Sequence, residues 1–297
     1  MPTRTNVTAS SRVWPVLRTR GPLLVDEVRV WWLSLDLETQ SVNRLAGLLS
    51  DDELNRAARF HLRRDAIRFV VSRAALRTGL AECLGVEPRA VGLQYGAHGK
   101  PELAAPFDQI GLQFNASRSA SLAIYAMTKQ RRVGVDIERL RPLSDLDEIA
   151  EHVFSPRERE ALRQLQPAHR HEAFFNCWTR KEAYVKAIGS GFSHPLERFT
   201  VSLAPGAPAR LEHVEGDSEA PGRWVLEALA PDPAYIAAIA VEGRPWRLLI
   251  RSPIELDTDG AILLRQDGRA SWASFRGSRT ADASSPWSSS AGLSSSC

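Results

Sequence analysis

Residues 28–35 (VRVWWLSL) form an apolar, β-prone run and predict a strand. Ser50-Asp51-Asp52-Glu53 opens a helix, with Ser50 placed as its cap and Glu53 completing a capping box. Residues 64–84 predict a longer helix ended by Gly85. Its apolar stripe includes Ile67, Val70, Val71, Ala74 and Leu80, with Arg68, Arg73 and Arg77 off the stripe. A short strand near 91–93 runs into a glycine-rich turn, Gly96-Ala97-His98-Gly99-Lys100-Pro101. Residues 121–127 (SLAIYAM) are apolar on both faces, as in a buried strand, and 133–138 predict another strand. Helical segments follow at 145–153, 156–164 and 171–188, the last stopped by Gly189-Ser190-Gly191. Weaker strands lie near 199–203, 224–229 and 235–241. Runs of strands mixed with runs of helices predict an α+β fold.

The ends differ from this pattern. Residues 1–25 read as an extension, and the pattern fades from about 252. Residues 274–297 hold ten serines in 24 positions without apolar periodicity, the composition of a disordered tail. No internal repeat appears at solenoid periods.

At 297 residues and 43% hydrophobic content, the chain is long enough for a sizeable core. It lacks an apolar run of membrane-spanning length and a secretory leader. Cys83, Cys177 and Cys297 are too few and too scattered for a disulfide framework or a zinc site, which fits the cytoplasm. A net charge of +3 permits an acidic partner but is too weak to argue for nucleic acid.

The chemistry concentrates in two segments. In Val133-Gly134-Val135-Asp136-Ile137-Glu138, strand alternation points Val133, Val135 and Ile137 into a core and Gly134, Asp136 and Glu138 the other way. The two carboxylates then sit roughly 6.5 Å apart along one face, within reach of one small ion. Gly134 leaves room there for a bulky group such as a phosphate. Mg²⁺ suits such oxygen ligands and keeps substrate phosphates in its shell. A half-exposed strand with a solvated acidic face is the other reading.

In the helix over 171–188, Phe174, Trp178, Val185 and Ile188 share a stripe, flanked by Glu182 and Lys186 one turn apart. These two read either as site residues or as an ordinary ion pair. Lys181 falls inside the apolar stripe, so it either snorkels out or meets a buried anion. Two segments offer phosphate-binding turns: the Gly99-Lys100 turn, and Phe114-Asn115-Ala116-Ser117-Arg118-Ser119 with its hydroxyls and guanidinium. The first also reads as an ordinary loop, and the second as a turn whose Asn and Ser bond their own backbone.

Taken in order, GKPEL, FNASRS, VGVDIE and FFNCWTRKEAYVKAIGSGF resemble the signature of the 4′-phosphopantetheinyl transferases. The likeness is to the larger, single-chain, surfactin-synthetase-activating type, with holo-acyl-carrier-protein synthase activity. LSDDELNRAARF (49–60) resembles that family's N-terminal half. The resemblance spans about 28–241. It implies two similar α/β halves related by a pseudo-two-fold, here 26–118 and 119–247, with coenzyme A between them as co-substrate. It implies that Asp136, Glu138 and Glu182 bind Mg²⁺ and that Glu182 is the general base toward a carrier-protein serine. Lys186 would steady the diphosphate and the departing 3′,5′-ADP. Arg56, Lys181, Lys100 with His98 and Gly99, and Asn115, Ser117 and Arg118 would hold coenzyme A. Arg118 departs from the family, which usually has histidine there; arginine keeps the donor and makes the charge permanent. The pseudo-dimeric architecture implies a monomer.

Two other classes compete. A P-loop phosphotransferase is disfavoured, because Gly99-Lys100 is followed by Pro101 and not Ser or Thr. A non-catalytic coenzyme A or carrier-binding module would have to lose activity despite keeping Asp136, Glu138, Glu182 and Lys186.

Overall fold

The computed structural model describes residues 22–96, 99–189, 194–244 and 246–251. The serine-rich segment and residues 1–21 of the extension lie outside them, as does His98. Leu23, at the end of the extension, is buried in the first core.

The first half begins with β1 (Glu27–Ser34), followed by α1 (Thr39–Ala46), α2 (Asp51–Ala58) and the 22-residue α3 (Arg63–Leu84). A short hairpin, β2 (Leu93–Tyr95) with β3 (Pro101–Leu103), leads to β4 (Leu112–Ser119) and β5 (Leu122–Lys129). The second half runs β6 (Val133–Arg139), α4 (Leu146–Val153), α5 (Pro156–Gln164) and the 22-residue α6 (Pro167–Ile188). Hairpin β7 (Phe199–Val201) with β8 (Leu211–Val214), short α7 (Ala220–Arg223), β9 (Trp224–Leu229) and β10 (Tyr235–Glu242) complete it. Strand β11 (Arg247–Arg251) then returns to pair in parallel with β1.

The sheets repeat one topology, β1-β5-β4 and β6-β10-β9, with β11 added to the first. Helix α3 packs on one sheet and α6 on the other. The opposite faces of the sheets share a third core, in which Val28, Val30, Ile124 and Ala126 meet Val133, Val135, Ile137 and Ile239.

The halves also repeat their internal braces. Ser50 and Glu53 form the expected capping box on α2, and Ser155 and Glu158 form one on α5. In each box the glutamate also takes a buried cation from the long helix: Arg77 Nε on Glu53 at 2.6 Å, and Lys181 Nζ on Glu158 at 2.8 Å. Each cation then donates to backbone carbonyls beside the short hairpin: Arg77 to Val91, Lys181 to Leu196 and Phe199. Gly85 and Gly189 both end their helices in the left-handed conformation that glycine adopts without a Cβ penalty.

Three expectations change. Arg77 does not lie outside the apolar face of α3 but is 3% exposed, because Glu53 neutralises it in the core. FNASRS is not a turn: it is β4, laddered to β5, with the reversal displaced to Ala120 at φ 49°. Because β5 belongs to the first sheet, the boundary between the halves falls at the β5–β6 turn rather than between 118 and 119.

Candidate active site

Strand alternation acts on β6 as its sequence predicts. Val133, Val135 and Ile137 enter the inter-sheet core, while Gly134, Asp136 and Glu138 face α6. The occupant of the space at Gly134 differs from expectation. A Cβ there would overlap the carbonyl oxygen of Ala183 and crowd the amide of Ala187, so the glycine admits the backbone of α6, not a phosphate.

That close approach brings Lys186 onto the strand. Its Nζ lies 2.6 Å from Asp136 Oδ1 and 3.0 Å from Ser117 Oγ, and Ser117 Oγ donates to the same Asp136 oxygen at 2.8 Å. Lys186 therefore pairs across elements with Asp136. Burial works against its charge, but Asp136, Glu182 and Glu138 outweigh burial and raise its pKa. Asp136 is 3% exposed, and its second oxygen, Oδ2, is buried without a hydrogen-bond partner.

The other two carboxylates are electrostatically crowded. Burial first, then Asp136, push Glu138 up to about 7 against the opposing pull of Ser119 and Lys186. Burial and Asp136 likewise raise Glu182, with Lys186 opposing. Among the described residues no group of three His, Cys, Asp or Glu side chains forms a preassembled metal cage. The oxygen set nevertheless fits a hard cation that brings other ligands with it. Asp136 Oδ2 is a buried acceptor with nothing to accept from, and ionising Glu138 and Glu182 carries a cost that a divalent ion would relieve.

The remaining candidates divide. Lys100 reaches the site's edge: its Nζ caps the C-terminal turn of α6 by donating to Lys186 O at 3.1 Å. Burial lowers its pKa and Arg132 lowers it further, while Glu102 opposes. Lys100, Arg132, Gln113 and the end of α6 line a cavity of about 260 Å³. Gly99 supplies the positive φ of the turn. Arg118 and Ser117 point to opposite faces of β4, as neighbours on a strand must. Arg118 falls within the electrostatic reach of Arg73 and Arg56; burial lowers its pKa and these two cations lower it further. Arg56 is exposed over the Phe69 ring. Arg73 donates to the Tyr95 hydroxyl. Arg73 was missed as a candidate, although its place off the apolar stripe of α3 was its signal.

Two candidates leave the ligand-binding set. Lys181 is 1% exposed and committed to Glu158, Leu196 O and Phe199 O, so the buried anion it meets is a side chain, not a phosphate. Asn115 is 6% exposed, and its Oδ1 accepts from Val135 N at 2.9 Å; it fastens β4 to β6.

Comparison with known proteins shows the family to which the chain belongs. The 4′-phosphopantetheinyl transferase superfamily model matches residues 132–240, and the model of the 4′-phosphopantetheinyl transferase N-terminal region matches 37–130. The two meet at the β5–β6 turn. The 4′-phosphopantetheinyl transferase HetI of Nostoc sp. is 43% identical over 225 residues, covering 76% of this chain and 92% of that protein. The psf-1 transferase of Bacillus pumilus is 33% identical, over 67% of this chain and 82% of its own length. Sfp of Bacillus subtilis is 26% identical, over 71% and 91%. With both halves matched and the acidic strand facing the lysine-bearing helix, the chain belongs to the 4′-phosphopantetheinyl transferase superfamily.

Proposed function

We propose that the chain transfers the 4′-phosphopantetheine arm of coenzyme A to a serine of an apo acyl- or peptidyl-carrier protein, releasing 3′,5′-ADP. The observation that carries this reading is the Lys186–Asp136–Ser117 cluster with its buried, partnerless Asp136 Oδ2, flanked by Glu138 and Glu182. A serine hydroxyl needs a base, and a diphosphate needs its charge offset before it can be attacked. Burial and Asp136 raise the proton affinity of Glu182, which suits it to take the serine proton. The serine oxygen bonds to the phosphorus that carries pantetheine as the bridging oxygen leaves with 3′,5′-ADP. Lys186, held charged by its carboxylate neighbours, is placed to balance that leaving charge. Mg²⁺ held by Asp136, Glu138 and Glu182 would offset the diphosphate charge. Lys100, in the turn opened by Gly99, and the Arg118, Arg73 and Arg56 group would supply cations for the nucleotide phosphates; His98 lies outside the described residues. A single chain suffices, because both halves contribute to the site, and the reading involves neither nucleic acid nor membrane.

The test is a carrier protein incubated with enzyme, coenzyme A and Mg²⁺ and then weighed. A gain of one phosphopantetheine arm supports the reading, and Asp136→Ala should abolish it. An unmodified carrier across fatty-acid, polyketide and peptide types would refute it.

A further inference from the structure

We propose that Ser119 is a positioning residue for Glu138, holding that carboxylate ready for the divalent ion that accompanies coenzyme A; this rests on the transferase reading. Strands β4 and β6 belong to different sheets yet lie side by side, and polar side chains from β4 take the place of a backbone ladder. Asn115, Ser117 and Ser119 alternate along β4 and therefore share the face turned toward β6. Asn115 accepts from Val135 N, Ser117 donates to Asp136, and Ser119 reaches Glu138.

The geometry at Ser119 determines its polarity. Arg139 N can only donate, and it lies 3.1 Å from Ser119 Oγ. The hydroxyl's own hydrogen is thus left for Glu138 Oε2, 2.8 Å away. A glutamate has three rotatable bonds whose freedom is lost when it is held in one arrangement. Ser119 tethers it in advance to the backbone of its own strand, which lowers the ordering cost of binding. Residues that orient metal ligands in this way typically contribute 10–100-fold to metal affinity. Ser117 does not offer the same test, because it also touches Lys186.

The experiment uses the full chain saturated with coenzyme A and Mn²⁺ as the probe, with free Mn²⁺ followed by electron paramagnetic resonance. Coenzyme A without protein sets the background. Ser119→Ala should weaken Mn²⁺ binding on the order of tenfold, and Ser119→Thr, which keeps the hydroxyl, should restore most of it. In a Glu138→Ala background, Ser119→Ala should add no further loss, because the group it positions is gone. Unchanged affinity in Ser119→Ala, or an equal loss with and without Glu138, would overturn the assignment while leaving the transferase reading intact. A wild-type chain that modifies carrier yet binds no Mn²⁺ above background would overturn the assignment and the metal site together. If Ser119→Ala does not fold, Ser119→Cys, similar in size but a weaker donor, takes its place with the same expected loss.

Discussion

Gly134→Ala tests the contact that assembles the site. The added Cβ would meet the Ala183 carbonyl oxygen, the Ala187 amide nitrogen and the Lys186 carbonyl carbon, all backbone atoms of α6. A side chain could rotate away, but a helix backbone cannot, so α6 must lift from β6. Overpacking of this kind costs about 1–3 kcal/mol, and the rigidity of the obstacle places this case near 3. For a folded body of this size, that lowers the melting temperature by roughly 6–12 °C. The same movement separates Lys186 from Asp136, now 2.6 Å apart, and shifts Glu182 with it. A displacement of about 1 Å at reacting groups costs roughly a hundredfold in rate. Differential scanning fluorimetry reads the first effect, and the mass of a modified carrier over time reads the second, at a temperature where the variant is folded. A melting temperature within about 2 °C of wild type, with an unchanged transfer rate, would show that the helix does not depend on this glycine for its seat.

Three further outcomes follow from the same geometry. Lys181→Met strands the buried Glu158 and should cost about 3–5 kcal/mol of stability in thermal melts, while transfer by the folded protein stays near wild type; a selective rise in KM for coenzyme A would restore Lys181 to the ligand set. Glu138 has a folded-state pKa of about 7, raised from 4.5, so the metal-free folded state holds more protons than the unfolded chain in that window. Stability should therefore fall as pH rises from about 4.5 to 7, and melts of Glu138→Gln should show a smaller fall. Arg118→Ala should raise KM for coenzyme A about ten- to a hundredfold, with less effect on kcat; with dephospho-coenzyme A the penalty should vanish if the contact is to the 3′-phosphate.

The local signals that were legible in the sequence are those whose cause lies within a few residues. The two-residue period of β6, the capping box at Ser50 and Glu53, and the stops at Gly85 and Gly189 belong to this class. The sequence is silent where a residue answers to a distant partner. Asn115, Ser117 and Ser119 have turn-forming composition, yet their side chains are matched to groups on β6. Lys181 left two readings open, and the deciding anion, Glu158, sits on another helix. Its capping-box spacing, Ser155 to Glu158, repeats that of Ser50 to Glu53 and was the available clue. Helix α1, eight residues long and without a side-chain cap, and strand β11, whose pairing is with β1, lack such start and stop signals.

The repeated architecture raises the question of why one half carries the carboxylates. On β1, the residues facing the long helix are Arg29, Trp31 and Leu33, where β6 presents Gly134, Asp136 and Glu138. Trp31 stacks on Tyr125 at 5.1 Å, and its ring fills the space over Gly79 of α3, where a Cβ would collide with it. The first half thus closes its helix onto its sheet with an apolar filling, which stabilises by removing that surface from water. The second half closes differently: the backbone of its helix lies directly against the strand at Gly134, and the next two positions on that face are a buried and a half-buried acid. Those acids take hydrogen bonds from outside their own half as well as from within it. Lys186 comes from α6, but Ser117 and Ser119 come from β4 in the first sheet. The site therefore belongs to the seam. The packed first half supplies an edge whose hydroxyls bond the carboxylates, and the second half supplies the crowded acids; on the transferase reading, a cation and a diphosphate entering together would relieve that crowding.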